Sequence, residues 1–219
     1  ENGDLVIRIR LEPTGLDKKA TRKWEVLVRT TPRPLSIRDW KKKDYPGAIN
    51  PVIAFSILKL LNIKEEDSII NSMCGSGTFL AELYENFKFK EATGIDISKN
   101  ALEIAHVNCE NAKNKIQLAE ADATSLPFEN NAFNIGVTDL PWGERVGNKD
   151  SNLDLYTATI SELARVLKNG SLLGIITQDV RNLIGALEQR KNFKFEILHE
   201  KKVFQGGFNP TILVLKMIK

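Results

Sequence analysis

The sequence predicts an α/β fold: a doubly wound, mostly parallel sheet of seven strands that ends in an antiparallel C-terminal hairpin, preceded by a short N-terminal β extension. Three observations predict it. From Ser68 onward, short apolar runs alternate with amphipathic helical stretches, the pattern of parallel strands joined by right-handed crossovers. The last two strand candidates are separated only by Gln205-Gly206-Gly207-Phe208-Asn209-Pro210, too short for a crossover, so they pair antiparallel. Before residue 47 the helical period is missing, and two alternating runs stand alone.

Those two runs are 4–11, where Leu5, Ile7, Ile9 and Leu11 alternate with Val6, Arg8 and Arg10, and 24–29, beginning at Trp24. Together they read as a hairpin. Thr31-Pro32-Arg33-Pro34 cannot continue a central strand, because proline lacks the amide donor and restricts its predecessor. A linker is placed there, ending near Tyr45-Pro46-Gly47. The expected organisation is a basic connector over residues 1–46 and one catalytic domain over 47–219. Asn50-Pro51 starts a helix to about Leu61, asparagine being a good N-cap and proline fitting the first turn. Strands are predicted at 68–72, 92–96, 116–120, 134–139, 171–177, 193–204 and 211–217. Helices are predicted at 78–87, 98–112, 153–167 and 180–189, with a looser segment at 123–132.

Composition narrows the function classes. With 42% hydrophobic and 27% charged residues over 219 positions, the chain is neither disordered nor collagenous. No apolar run approaches the ~20 residues of a membrane span, and Glu1-Asn2-Gly3-Asp4 has no signal-peptide character. The missing initiator methionine reads as a chain cut from something longer. Two cysteines, Cys74 and Cys109, and two isolated histidines, His106 and His199, make no zinc spacing or disulfide framework. No metal is expected, and the setting is read as reducing and cytoplasmic. The net charge of +3 is unevenly spread: residues 1–50 hold 12 Lys/Arg against 7 Asp/Glu, the remainder 19 against 21. The densest basic run reaches Lys41-Lys42-Lys43 beside Trp40. Cations next to an exposed ring hold phosphates and stack on bases; a solvated face is the other reading.

In open sheets of this kind ligands bind at the carboxyl ends of the strands, near the switch in strand order. After the first core strand comes Asn71-Ser72-Met73-Cys74-Gly75-Ser76-Gly77-Thr78, opening a helix. Its two glycines let a ligand lie against main-chain amides. The second strand ends on Asp96, nineteen residues after Gly77, close to the spacing at which an acid accepts hydrogen bonds from a ribose diol. The third leads to Asp122-Ala123, where a carboxylate beside a small residue can approach an adenine amino group. These point to a nucleoside-containing cofactor; helix capping by Asp96 and a turn role for Asp122 are the alternatives. Leu80 stands where a dinucleotide fingerprint would need its third glycine.

The fourth strand ends in Asp139-Leu140-Pro141-Trp142-Gly143. An exocyclic amino nitrogen is a poor nucleophile, since its lone pair is delocalised into the ring. A carboxylate at Asp139 and the Leu140 carbonyl would both accept its N–H bonds and stabilise the developing positive charge. Pro141 stiffens the turn, and Trp142 offers a face for the base.

Cys74-Gly75-Ser76-Gly77-Thr78 resembles the first motif of the class I S-adenosylmethionine-dependent methyltransferases, a Rossmann-like fold. That family usually has an acid-Pro pair where this chain has Asn71-Ser72. Asp139 to Gly147 resembles the corresponding stretch of the THUMP-associated RNA methyltransferases, the group with the tRNA guanine-N2 enzymes. So do Tyr45 to Pro51, Thr177-Gln178-Asp179, Gly206-Gly207 and Leu213 to Lys216. The resemblance implies S-adenosylmethionine as cofactor. It would be bound by Gly75, Gly77 and Thr78 under the methionine portion, Asp96 at the ribose and Asp122 at the adenine, with Ala48, Asn71, Cys74, Ile97 and Ala123 completing the set. Asp139, Leu140, Pro141 and Trp142 form the catalytic motif; Trp142, Arg145, Lys41 and Lys42 are assigned to substrate, Arg145 having an equal reading as a surface arginine. It further implies RNA, most of all tRNA, as partner, and an upstream RNA-binding domain absent from this chain.

The expected activity is methyl transfer to the exocyclic amino group of an RNA base, guanine N2 in tRNA, the base being unpaired or flipped out. Adenine N6 in rRNA or DNA is the nearest alternative. A non-catalytic RNA-binding scaffold is another, and would have lost the amino-methyltransferase motif or the ribose acid; both are present.

Overall fold

The computed structural model describes residues 6–11, 24–31, 33–143, 152–189 and 193–219. The chain divides into two compact units, Glu1–Arg38 and Asp39–Lys219. The first carries β1 (Val6–Leu11) and β2 (Trp24–Arg29), paired antiparallel from Val6↔Arg29 to Leu11↔Trp24. Cross-strand partners Ile7 and Val28, and Ile9 and Val26, are exposed, so this hairpin presents apolar side chains to solvent.

The second unit contains α1 (Pro51–Leu60), β3 (Ser68–Asn71), α2 (Thr78–Asn86), β4 (Glu91–Asp96), α3 (Lys99–Asn108), β5 (Ile116–Glu120) and β6 (Phe133–Asp139). These are followed by α4 (Asn152–Val166), β7 (Leu167–Thr177), α5 (Val180–Glu188), β8 (Lys194–Lys202) and β9 (Thr211–Ile218). The seven strands lie in the order β5-β4-β3-β6-β7-β9-β8. All neighbours from β5 to β7 are parallel; β9 runs antiparallel between β7 and β8. The order reverses at β3 and β6, which places the switch point between the two strands carrying the glycine turn and Asp139.

Period-two alternation sorts side chains into two apolar layers. Ile69, Ile212 and Val214 face α1, α2 and α3 through Ile57, Leu58, Leu80, Leu83 and Leu102. Their neighbours Ile70, Leu213 and Leu215 face α4 and α5 through Tyr156, Ile160, Leu163 and Leu183. Gly174 is a contact requirement: a Cβ there would stand 2.6 Å from Ile57 Cγ2, so its absence lets α1 lie close on the sheet. The helix starts follow their caps. Asn50 Oδ1 accepts the Val52 N–H at 2.9 Å, Ser98 Oγ that of Ala101 at 3.3 Å and Asp179 Oδ1 that of Asn182 at 3.3 Å.

Three boundaries differ from expectation. The helix foreseen over 98–112 stops at Asn108, and Glu110–Ala112 forms a separate 3₁₀ turn. Asn108 is buried and its side chain is committed elsewhere, accepting the N–H groups of Lys42 and Lys43, each at 3.0 Å, and donating to the Lys43 and Ser76 carbonyls, each at 3.1 Å. The strand expected from Ser171 begins at Leu167, with an irregularity in its pairing to β6 and Gly170 at φ +81°. The strand expected to reach Phe204 ends at Lys202, though Val203 N–H still bonds the Pro210 carbonyl at 2.9 Å.

Trp40 requires a correction. It is not an exposed ring: only 6% of it is accessible, and its Nε1 donates to Glu82 Oε1 at 2.8 Å. An indole is the largest apolar body available to this stretch, and burying it against α2 outweighs exposing it.

Candidate active site

Four loops meet at the carboxyl edge of the sheet, and backbone hydrogen bonds stitch each to its neighbour. Ala121 N–H bonds the Asp96 carbonyl (3.2 Å), Cys74 N–H that of Ile95 (2.8 Å), Ser72 N–H that of Val137 (3.2 Å) and Leu140 N–H that of Ile176 (3.0 Å). The loops after β3, β4, β5 and β6 are thereby held in one row, which no local sequence signal specifies.

At the centre, Gly75 and Gly77 adopt φ +51° and +82°, the left-handed region that favours glycine. Their surroundings differ. A Cβ on Gly75 would meet nothing within 4 Å, so the turn is open above it; one on Gly77 would lie 2.9 Å from Cys109 Sγ and 3.2 Å from Ala105 Cβ, so this turn packs on α3. Gly77 is the N-cap of α2 and contributes no side-chain cap. The helix therefore begins at Thr78 with amides available for a polar ligand. Cys74 and Cys109 are free thiols, both buried. Burial pushes the Cys74 thiol well up and Cys109 up to about 12, so both remain protonated and unreactive.

Asp96 is tied to the turn on both oxygens. Oδ2 accepts the Gly75 N–H at 2.8 Å and Oδ1 the Ser98 N–H at 2.9 Å, leaving the outer lone pairs for a diol. Ile97, next to it, is 70% exposed and has no core role. Asp122 is exposed and closes an Asx turn, Oδ1 accepting from Thr124 N at 2.8 Å and Thr124 Oγ1 at 2.7 Å; Ala123 beside it is buried. Asn71, at the end of β3, is fully buried, and neither its Oδ1 nor its Nδ2 has a partner among the described residues; the same holds for Ser72 Oγ. Orphaned buried polar atoms are costly. Beside an open glycine turn they fit a site whose ligand completes the hydrogen bonding. The residues present thus fit a nucleoside cofactor with a polar amino-acid tail.

The β6 end stands beside this turn, Val137 pairing with Asn71 two residues before Asp139. Burial raises the Asp139 carboxyl to about 7 against the lowering effect of its bond from Trp142 Nε1, which reaches Oδ1 at 3.0 Å. Leu140 is completely buried. Trp142 is half-buried and meets Phe208 edge-on, ring centroids 5.7 Å apart at 70°. Phe208 belongs to the turn between β8 and β9, whose Gln205 accepts the Asn50 N–H at 2.9 Å and donates to the Ala48 carbonyl at 3.4 Å. Ala48 is thereby tied through its backbone carbonyl to the turn that carries Phe208. Gly143 ends this described stretch; Arg145 lies outside the described residues.

Lys41 and Lys42 are not gathered into the row of loops. Lys41 Nζ pairs with Asp44 at 2.5 Å, and Lys42 Nζ pairs with Glu110 on the 3₁₀ turn. The residues missed from sequence are Asn108, Tyr156, Thr177 and Phe208. Thr177 and the Gly206-Gly207 turn lie in stretches singled out by resemblance, but nothing local marks Asn108 or Tyr156. Among the described residues no cluster of three His, Cys, Asp or Glu could hold a metal, and no helix is long and apolar enough to cross a membrane.

The reversed strand order, the glycine turn and the acid at the end of the adjacent strand define a class I methyltransferase domain. A family model described as UPF0020, RMKL-like methyltransferase domain, matches residues 38–210, and the chain belongs to that family. Over 185 residues it is 27% identical to a Bos taurus protein named tRNA (guanine(6)-N(2))-methyltransferase THUMP3, covering 78% of this chain and 36% of that one. It is 23% identical over 222 residues to a Methanocaldococcus jannaschii protein named tRNA (guanine(6)-N2)-methyltransferase, covering 84% and 58%. Among solved structures, TrmN from Thermus thermophilus superposes with TM-score 0.75 at 24% identity, over 89% of this chain and 57% of that one. The chain spans about a third to three fifths of the length of these relatives.

Proposed function

We propose that this chain is the catalytic part of an enzyme that transfers a methyl group from S-adenosylmethionine to guanine N2 of a tRNA. The observation that carries the reading is the juxtaposition at the switch point: Asp139 ends β6 and Leu140 follows it, directly beside the Asn71 to Thr78 turn after β3. The relatives named as tRNA guanine-N2 methyltransferases support the choice of base and RNA.

Bound S-adenosylmethionine would supply an electrophilic methyl group. Gly75, Gly77 and Thr78 would hold its methionine portion, with Asn71 and Ser72 offering buried polar partners. Asp96 would receive the ribose hydroxyls, and Ile97, Asp122 and Ala123 would border the adenine. Trp142 takes one Asp139 oxygen at 3.0 Å, and the second oxygen accepts an N–H of the target amine. The Leu140 carbonyl accepts the other N–H. The lone pair is then aligned with the methyl, and positive charge growing on nitrogen is stabilised by carboxylate and carbonyl. Asp139 is placed to take the proton that the target nitrogen would shed on being methylated.

RNA contact rests on a different surface from the one first expected, since Trp40 is buried. Phe204, 71% exposed on the β8–β9 hairpin, follows the exposed Lys201 and Lys202. A ring four residues and two cations six and seven residues before Phe208, which itself touches Trp142, suit a nucleotide flanking the target. Residues 1–46 serve as the connector to an RNA-binding domain, and Asp39 to Pro46 already belong to the same compact unit as the sheet.

The test is single-turnover methylation of unmodified tRNA transcripts at low salt with labelled S-adenosylmethionine, followed by digestion to nucleosides. N2-methylguanosine is expected. Methyladenosine without methylguanosine overturns the choice of base, and failure to bind S-adenosylmethionine at millimolar concentration in calorimetry overturns the enzyme reading in favour of a scaffold.

A further inference from the structure

The side chain of Tyr156 is completely buried in the layer between α4 and the sheet, among Ile160, Leu163 and Leu183. A phenol hydroxyl in such surroundings needs partners. It has two, both at the carboxyl edge: the Pro141 carbonyl, and Thr177 Oγ1 at 2.8 Å. The direction of each bond follows from proton counting. A carbonyl only accepts, so the single Tyr156 proton goes to Pro141. Thr177 must then donate to Tyr156, and its own oxygen accepts the Asp179 N–H at 3.0 Å. The chain of donation runs one way, from the backbone after β7, through Thr177 and Tyr156, to the motif that ends β6.

From this geometry we infer that Tyr156 is a positioning residue for methyl transfer: its hydroxyl sets the orientation of the Leu140 carbonyl by fixing the peptide that follows it. The inference rests on the reading that this carbonyl accepts an N–H of the target amine. Three peptide groups are involved. The one before Leu140 is held by Leu140 N–H on the Ile176 carbonyl at 3.0 Å. The one after Pro141 is held by Tyr156. Between them lies the Leu140–Pro141 peptide, which has no N–H of its own, and the proline ring restricts rotation about φ on its far side. With both flanking peptides held, the Leu140 carbonyl cannot swing away from the target. Tyr156 is itself fixed from below, because Asn152, the first residue of α4, donates through Nδ2 to Asp179 Oδ2 at 3.1 Å. The first turn of the helix is thereby clamped to the N-cap of α5, two residues past Thr177 at the end of β7.

The experiment uses Tyr156→Phe, which keeps the buried ring and deletes only the hydroxyl, with Ile160→Val as a control of similar burial on the same helix. In single-turnover methylation, Tyr156→Phe should lower the rate constant about 10- to 100-fold, the range expected when an aligning group moves by a fraction of an ångström to 1 Å. RNA and S-adenosylmethionine affinities should stay within about three-fold, a split between turnover and binding that simple loss of stability would not produce. Ile160→Val should leave the rate constant unchanged. A second readout needs no activity: with proline carbonyls labelled with carbon-13, the Pro141 resonance should move in Tyr156→Phe and not in Ile160→Val. A Tyr156→Phe rate equal to wild type, a loss confined to RNA affinity, or an unmoved Pro141 resonance would overturn the inference. Absence of methyl transfer by the wild-type chain would instead count against the functional reading, and the resonance would still decide whether Tyr156 holds Pro141.

Discussion

Replacing Asp139 by asparagine should make the protein more stable at neutral pH while removing its activity. Burial raises the Asp139 carboxyl from 3.8 to about 7. Between those values the native state keeps a proton that the unfolded chain has released, so stability falls as pH rises from about 4 to about 7 and then levels off. Three pKa units at 1.36 kcal/mol each set the full penalty at about 4 kcal/mol, an upper bound because the side chain keeps some contact with water. Asparagine carries no charge and can still accept the Trp142 Nε1–H bond through Oδ1. Asp139→Asn should therefore exceed wild type by as much as about 4 kcal/mol above pH 7 and by less than about 1 kcal/mol at pH 4. Urea unfolding of both proteins between pH 4 and 8 measures this. A difference that does not change with pH, or a variant less stable than wild type at pH 8, would refute the reasoning. In the proposed methyl transfer the same carboxylate must be ionised to receive the amine. Wild-type single-turnover rates should accordingly rise through pH 7, while the variant retains S-adenosylmethionine binding within a few-fold and loses turnover.

Asp96→Asn should behave in the opposite way. Its two oxygens accept from two different backbone donors, Gly75 N–H and Ser98 N–H, so an amide must place its NH₂ against one of them. The lost bond and the donor-against-donor mismatch in this partly buried site are worth about 1 to 3 kcal/mol, and calorimetry should show S-adenosylmethionine affinity reduced about 10- to 100-fold. Phe204→Ala combined with Lys202→Gln should weaken RNA binding at least about ten-fold, removing a stacking ring and a phosphate contact. The slope of affinity against salt should become shallower and cofactor binding should be unchanged; filter binding across a salt series reads both.

The positions of the strands were legible because alternation is a local property. Ile69 and Ile70 adjoin in sequence and enter opposite layers, as period two requires. The glycine turn, Asp96 and the Asp139 motif were legible because each is a short signal at a strand end, and an open parallel sheet brings all strand ends to one edge. Helix starts followed their caps at Asn50 and Ser98. The end of α3 was missed because Asn108 is bound to partners as many as 66 residues away. Trp40 was misjudged for the same reason: next to three lysines it reads as an exposed ring, and only a docked α2 supplies Glu82 as acceptor, 42 residues on.

Sequence alone was sufficient for the fold class, the order of elements and the chemical type of the groups at each strand end, since these depend on propensity, periodicity and spacing within a few residues. Tertiary structure decided which of those groups act together. The row of backbone bonds linking the four loops, the raised proton affinity of Asp139 and the donation from Thr177 through Tyr156 to Pro141 exist only once separate helices and strands have docked. Desolvation and hydrogen-bond geometry are set by neighbours in space, and the pattern of residues along the chain carries no direct record of them.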